Sequence, residues 1–169
     1  MQMRNAARVY AMVILSGCII LDQLTKAAAR QSLPGTGVHH LVGDLLLMVY
    51  AENRGAFLGL GTGWPTAARQ IVFILLSAAV LIVTVGVIFL SRKLSRSTAV
   101  ALAFIAGGGL GNMIDRVSRN GFVTDFLNVG IGRLRTGIFN MADLSITIGA
   151  AILAVSYFAH VRGGDSSHD

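Results

Sequence analysis

This sequence predicts an all-α membrane fold: a bundle of four transmembrane helices carrying a small β-sheet. Three observations predict it. Of 169 residues, 54% are hydrophobic and only 13% charged, with a mean hydropathy of +0.68; a soluble domain carries about 25% charged residues. Four apolar stretches approach the length of about 20 helical residues that a hydrocarbon core requires. The two longest segments between them are rich in β-branched and aromatic residues broken by glycine, the pattern of short strands and turns. No Pro/Ser-rich linker or charge run divides the chain, so residues 1–169 are expected to form one membrane domain.

The first span is expected over residues 9–29, with Asp22, Gln23 and Lys26 in its C-terminal part. Asp22 and Lys26 stand four apart on one helix face, so they can pair and reduce each other's cost at membrane depth. The plainer reading is a helix end whose lysine reaches back to the interface. A long loop follows over 30–70, with a strand-like LLLMVY at 45–50 and the polar stretch ENRGAF at 52–57. The second span, 71–90, contains no charged residue. The third, 98–114, contains Gly107, Gly108, Gly109 and Gly111, small residues that let helices approach closely. A second long loop, 115–140, contains FVTDFLNVGIGRLRTGIF with turn glycines at 130, 132 and 137. The fourth span is expected over 141–160.

Charge sets the orientation. Residues 1–8, 91–97 and 161–169 hold 6 basic residues in 24 positions, whereas 30–70 and 115–140 hold 7 in 67. The denser set belongs on the cytoplasmic side. Both termini are therefore expected in the cytoplasm, with the two long loops and their sheet on the far side of the membrane. The net charge of +6 is carried by arginines grouped between apolar runs, which are topology markers and contacts to lipid head groups rather than a nucleic-acid surface.

Several chemistries are excluded. Arg4 and Arg8 followed by an apolar run and Leu15-Ser16-Gly17-Cys18 imitate a lipoprotein leader with its acylated cysteine. The apolar run continues through Ile19, Ile20 and Leu21, however, so Cys18 is read as part of a small-residue patch in the first span. Cys18 is the only cysteine, has no adjacent base and is expected inside that span, so it is no nucleophile. His39, His40, His160 and His168 lack the helical spacing of metal ligands. GGGLG has neither a strand before it nor a lysine after it, which argues against a phosphate loop. No metal and no cofactor are expected.

What remains is a set of polar residues at the edges of the spans. Asn53 can donate and accept hydrogen bonds, and Gly55 lets the backbone turn or approach a ligand. Asn112 and Arg116 are one helical turn apart, and Asp115 beside Arg116 is read as a local charge pair. Asn140 suits a helix cap, and Asp143 suits the first turn after it. Asp125 is flanked by apolar residues. Each aspartate has a structural explanation taken singly. Two carboxyls brought within hydrogen-bond distance share a proton, so one acts as base while the other acts as acid. Such a pair can activate water against a peptide carbonyl, as in aspartic proteases.

The motifs LDQLTK, ENRGAF, GGGLGNMIDR, GFVTDF and FNMAD occur in this order over residues 21–143. With four spans and cytoplasmic termini, the chain resembles the lipoprotein signal peptidases, or signal peptidase II, of bacterial inner membranes. The resemblance implies an intramembrane aspartyl endopeptidase that cuts diacylglyceryl-modified prolipoproteins before their lipidated cysteine. It implies Asp125 and Asp143 as the catalytic pair, supported by Asp22, Lys26, Asn53, Gly55, Asn112, Arg116 and Asn140. It also implies a periplasmic sheet that cradles substrate against the membrane. The expected partners are lipidated prolipoproteins and membrane lipids, with no nucleic acid, and the chain is expected to act as a monomer.

One stretch departs from the family pattern. Where the family reads Asn-x-Gly-Ala-Ala-Phe-Ser, this chain reads Asn53-Arg54-Gly55-Ala56-Phe57-Leu58, one alanine short and without the serine. The departure bears on loop shape and substrate preference. Two other readings use the same residues: a small transporter or ion-relay subunit built on Asp22, Lys26, Asp125 and Asp143, and a relative that binds lipidated peptides without cleaving them. Four spans without an internal repeat argue against the transporter.

Overall fold

The structure, a computed structural model, describes residues 2–53, 65–91 and 94–165. In chain order its elements are α1 (Gln2–Ser32), β1 (His39–Val42), β2 (Leu46–Asn53), α2 (Thr66–Leu90), α3 (Arg96–Ser118), β3 (Val123–Ile131), β4 (Leu134–Arg135) and α4 (Met141–Asp165). The stretches long and apolar enough to cross a membrane are Ala6–Ser32, Ile71–Leu90, Arg96–Ser118 and Met141–Ala159. The fold is the expected four-helix membrane bundle with a small sheet. All four helices outrun the expected spans: α1 runs from Gln2 to Ser32, α2 begins at Thr66, α4 ends at Asp165, and α3 continues past residue 114 to Ser118, so Asp115 and Arg116 are helical like Asn112.

α3 is the central helix, packed on α1, α2 and α4. Ser95 starts it, its Oγ accepting a hydrogen bond from the Thr98 N–H at 3.1 Å. Its buried residues are mostly small: Ala99, Ala101, Ala103, Ala106, Gly107, Gly108 and Gly111. The glycines are where other helices come closest. A methyl group at Gly108 would lie 2.3 Å from the Ala142 carbonyl oxygen, and one at Gly107 would lie 2.7 Å from Cys18 Cβ. Cys18 is buried within α1 at this crossing, as the small-patch reading expects. Large apolar side chains such as Val13, Val83, Leu90 and Val155 point outward. That distribution is what a lipid environment selects, since lipid tails solvate leucine as well as a protein core does.

The sheet is antiparallel with strand order β1-β2-β3-β4. β1, four exposed residues, lies outside the sequence-expected strands because it is short and polar at one end. β2 runs on to Asn53, and that extension matters: Ala51 pairs with Asp125 and Asn53 with Val123. Residues two apart on a strand share a face, so Asn53 becomes the diagonal neighbour of Asp125. Phe126 of β3 packs with Ala29 and Leu33, joined by Met48, Tyr50, Leu127 and Met141, which seats the sheet on the ends of α1 and α4. The Phe139 carbonyl accepts the N–H groups of Phe126 and Leu127 at 3.0 and 2.8 Å, drawing the start of α4 against β3.

Candidate active site

Asp125 enters the site from β3 and is 2% exposed. Its Oδ2 accepts a hydrogen bond from Asn53 Nδ2 at 3.0 Å, and its Oδ1 accepts one from Asn140 Nδ2 at 2.6 Å. Asp143 enters from the first turn of α4. Its Oδ1 accepts from Asn112 Nδ2 at 2.8 Å, and its Oδ2 from the Asn140 backbone N–H at 3.2 Å. The Asp143 N–H in turn donates to Asn140 Oδ1 at 3.0 Å. This is a reciprocal capping box, two orphan donors of a helix N-terminus satisfied by two side chains.

Asn140 therefore does two things with one amide. Its oxygen caps α4 and holds Asp143 in the first turn; its nitrogen donates to Asp125 and, at 3.1 Å, to Asn112 Oδ1. A single buried side chain thus touches both aspartates. Burial raises the Asp125 carboxyl to about 6; the Asn53 and Asn140 hydrogen bonds oppose this rise, while the charge of Asp143 adds to it. A carboxyl in this range holds a proton far more readily than an exposed one.

Arg116 is half-buried, within electrostatic reach of Asp143, Asp125 and Asp115. Its Nη1 donates to the Asn112 carbonyl at 3.4 Å, and its buried Nε has no hydrogen-bond partner among the described residues. The guanidinium places a positive charge within reach of both carboxyls.

Behind the pair lies an ionic layer with a buried centre of Lys26, Asp22 and Asp115. Lys26 Nζ sits 2.8 Å from Asp22 Oδ2 and 3.5 Å from Asp115 Oδ2, and donates to Asn112 Oδ1 at 2.9 Å. Asp22 Oδ1 accepts the Ala142 N–H, and Asp115 Oδ2 accepts the Thr124 N–H, each at 2.9 Å. Arg30 adds a second cation 3.6 Å from Asp115 Oδ1, and Gln23 Nε2 donates to Asp22 Oδ2 at 3.1 Å and the Gly111 carbonyl at 3.0 Å. Lys26 is fully buried rather than drawn to the interface.

The sequence model of the family described as Signal peptidase (SPase) II matches residues 14–159. The chain belongs to the signal peptidase II family. It is 34% identical to a lipoprotein signal peptidase of Treponema denticola over 146 residues, covering 83% of this chain and 84% of that one. It is 37% identical to the lipoprotein signal peptidase of Paraburkholderia phymatum over 150 residues, covering 86% and 85%. A bacterial membrane enzyme solved in meso at 2.3 Å superposes with a TM-score of 0.77 at 26% identity, covering 89% of this chain and 88% of that one.

Within this signal peptidase II fold, Asp22, Lys26, Asn53, Asn112, Arg116, Asn140, Asp125 and Asp143 come together at one end of the bundle, beneath the sheet. Gly55 and the altered stretch 54–58 lie outside the described residues. One sequence reading is corrected: Asp115 is not the local partner of Arg116. It turns to Lys26, Arg30 and the Thr124 N–H, because a helix carries residues i and i+1 about 100° apart and only the first faces α1. Thr124, Gln23, Arg30 and Asp115 are the participants missing from the sequence-level site. A signal for Asp115 was present: it follows Gly108 by seven residues and Gly111 by four, on the stripe that approaches the other helices.

Proposed function

We propose that this chain, as a single membrane domain, is an aspartyl endopeptidase that removes signal peptides from diacylglyceryl-modified prolipoproteins, cutting before the lipidated cysteine. Membership of the signal peptidase II family supports the substrate class. The observation that carries the chemistry is Asn140, whose one side chain hydrogen-bonds Asp125 and caps the turn bearing Asp143. Burial pushes the Asp125 carboxyl up, and this reading assigns the shared proton to Asp125 and the role of base to Asp143.

The reaction then runs as follows. Asp143 takes a proton from water as its oxygen attacks the scissile carbonyl carbon, and Asp125 gives its proton to the carbonyl oxygen. Collapse of the tetrahedral intermediate breaks the C–N bond. Asp143 protonates the leaving amine, and the proton returns to Asp125. Arg116, half-buried and within electrostatic reach of both carboxyls, holds a substrate carbonyl, while Asn53, Asn112 and Asn140 hold the carboxyls in register. The density of basic flanks supports cytoplasmic termini and a periplasmic site in a bacterial inner membrane.

The test is cleavage of a purified diacylglyceryl prolipoprotein by wild type, Asp125→Asn and Asp143→Asn in detergent. Each variant should fold and lose about 10³-fold or more in rate. Normal turnover by either would refute the assignment, and tight binding of the lipidated precursor by the wild type without cleavage would make the chain a binding protein instead. The ion-relay reading is not favoured, since the chain belongs to a peptidase family.

A further inference from the structure

The ionic layer contains a symmetry that the catalytic reading does not use. The residue before each catalytic aspartate gives its backbone N–H to a second, buried aspartate: Thr124 to Asp115, and Ala142 to Asp22, both at 2.9 Å. Those two acceptors share one cation, Lys26, at 2.8 Å from Asp22 and 3.5 Å from Asp115. All three side chains are essentially without solvent contact.

We propose that Asp115, Lys26 and Asp22 form a clamp that sets the separation of the two catalytic carboxyls, with Asp115 the positioning residue for Asp125 and Asp22 the positioning residue for Asp143. The inference rests on the aspartyl reading above. β3 and α4 are joined directly through the Phe139 carbonyl and the Asn140 side chain, and α1 and α3 add a second constraint on the separation of Asp125 and Asp143. The clamp supplies that constraint through backbone rather than side chain: a carboxylate holds the N–H of the residue immediately before each catalytic position, and one ammonium spans the two carboxylates.

The arrangement suits buried groups. Two carboxylates and one ammonium would leave a net negative charge, which Arg30 balances against Asp115. A buried pair broken on one side leaves an uncompensated charge, so loss of either carboxylate is felt at the other through Lys26. Lys26 also donates to Asn112, whose Nδ2 holds Asp143, so a displaced lysine disturbs Asp143 by a second route.

The clamp is separable from ordinary structural support by its cross-talk. In full-length protein in detergent micelles, ¹⁵N-labelled at alanine and threonine, Asp115→Asn should move the amide proton of Ala142, which Asp115 does not touch. Asp22→Asn should move that of Thr124, which gives the same test from the other side if one variant fails to fold. Each variant should lower kcat about 10- to 100-fold, the scale on which small misplacement of reacting groups acts. KM and the affinity for a non-cleavable lipidated peptide should stay within about twofold, because neither residue faces substrate. The double variant should lose less in kcat than the product of the single losses, since both act through one lysine.

Losses that multiply, or an Ala142 resonance indifferent to Asp115→Asn, overturn the clamp. The amide readout needs no catalysis: normal cleavage by Asp125→Asn would sink the aspartyl reading and leave the cross-talk intact, while absent cross-talk beside an inactive Asp125→Asn sinks the clamp alone.

Discussion

Replacing Gly108 by alanine tests whether helix packing sets the catalytic geometry. The added methyl would stand 2.3 Å from the Ala142 carbonyl oxygen and 2.9 Å from Ile146 Cγ1, whereas ordinary contact begins at 3.4 Å. The Ala142 contact is to backbone, so it cannot be relieved by a rotamer change. About 1 Å must be found by moving the first turn of α4 away from α3, and Asp143 is the next residue along that turn. Overpacking of this kind costs about 1–3 kcal/mol of stability. A displacement of about 1 Å at a reacting group costs about 10²-fold in rate. Gly108→Ala should therefore remain folded with a lowered melting temperature and cleave a lipidated precursor about 100-fold more slowly. Gly86→Ala, whose methyl meets nothing within 4 Å, is the control and should cleave normally. The measurement is kcat for a diacylglyceryl prolipoprotein beside a thermal melt in the same detergent. An unchanged kcat in Gly108→Ala would refute the link between the α3–α4 crossing and the site.

Two further outcomes are expected. Asp125 is raised by burial to about 6 from an unfolded value near 3.8, so the folded chain binds more protons than the unfolded one between these values, and stability falls as pH rises through that window. Asp125→Asn removes the titrating group, so its melting temperature should gain on wild type from about pH 4 to about pH 6 and hold the gain above; a constant difference across that range would contradict the assignment. Asn140→Ala removes a cap worth about 1 kcal/mol, the acceptor of the Asp143 N–H, and with it the amide donor to Asp125. It should melt lower by that order and cleave at least about 100-fold more slowly, whereas a melting change with normal cleavage would reduce Asn140 to a cap.

Why some of this was legible in the sequence, and some was not, follows from the range of each interaction. The spans announce themselves because hydropathy is a local sum over about 20 residues. Asp22 and Lys26 announce themselves because four residues separate them on one helix. The glycines of α3 mark a close crossing because only small residues permit one. The motif order carried the family and, with it, the expectation that Asp125 and Asp143 form a pair. β1 escaped because four residues of mixed polarity form a strand only when β2 is there to pair with them.

The amino-acid order alone determined the membrane class, the four helices and the roster of polar residues that lipid would not tolerate unpaired. The tertiary structure decided whom each one meets: Asp115 facing Lys26 instead of Arg116, Asn53 beside Asp125 through the β2–β3 register, and Asn140 touching both carboxyls. A buried charge must find a partner, and this requirement is written in the residue itself. Which partner it finds depends on how segments as far as 120 residues apart are brought together, and no local pattern encodes that.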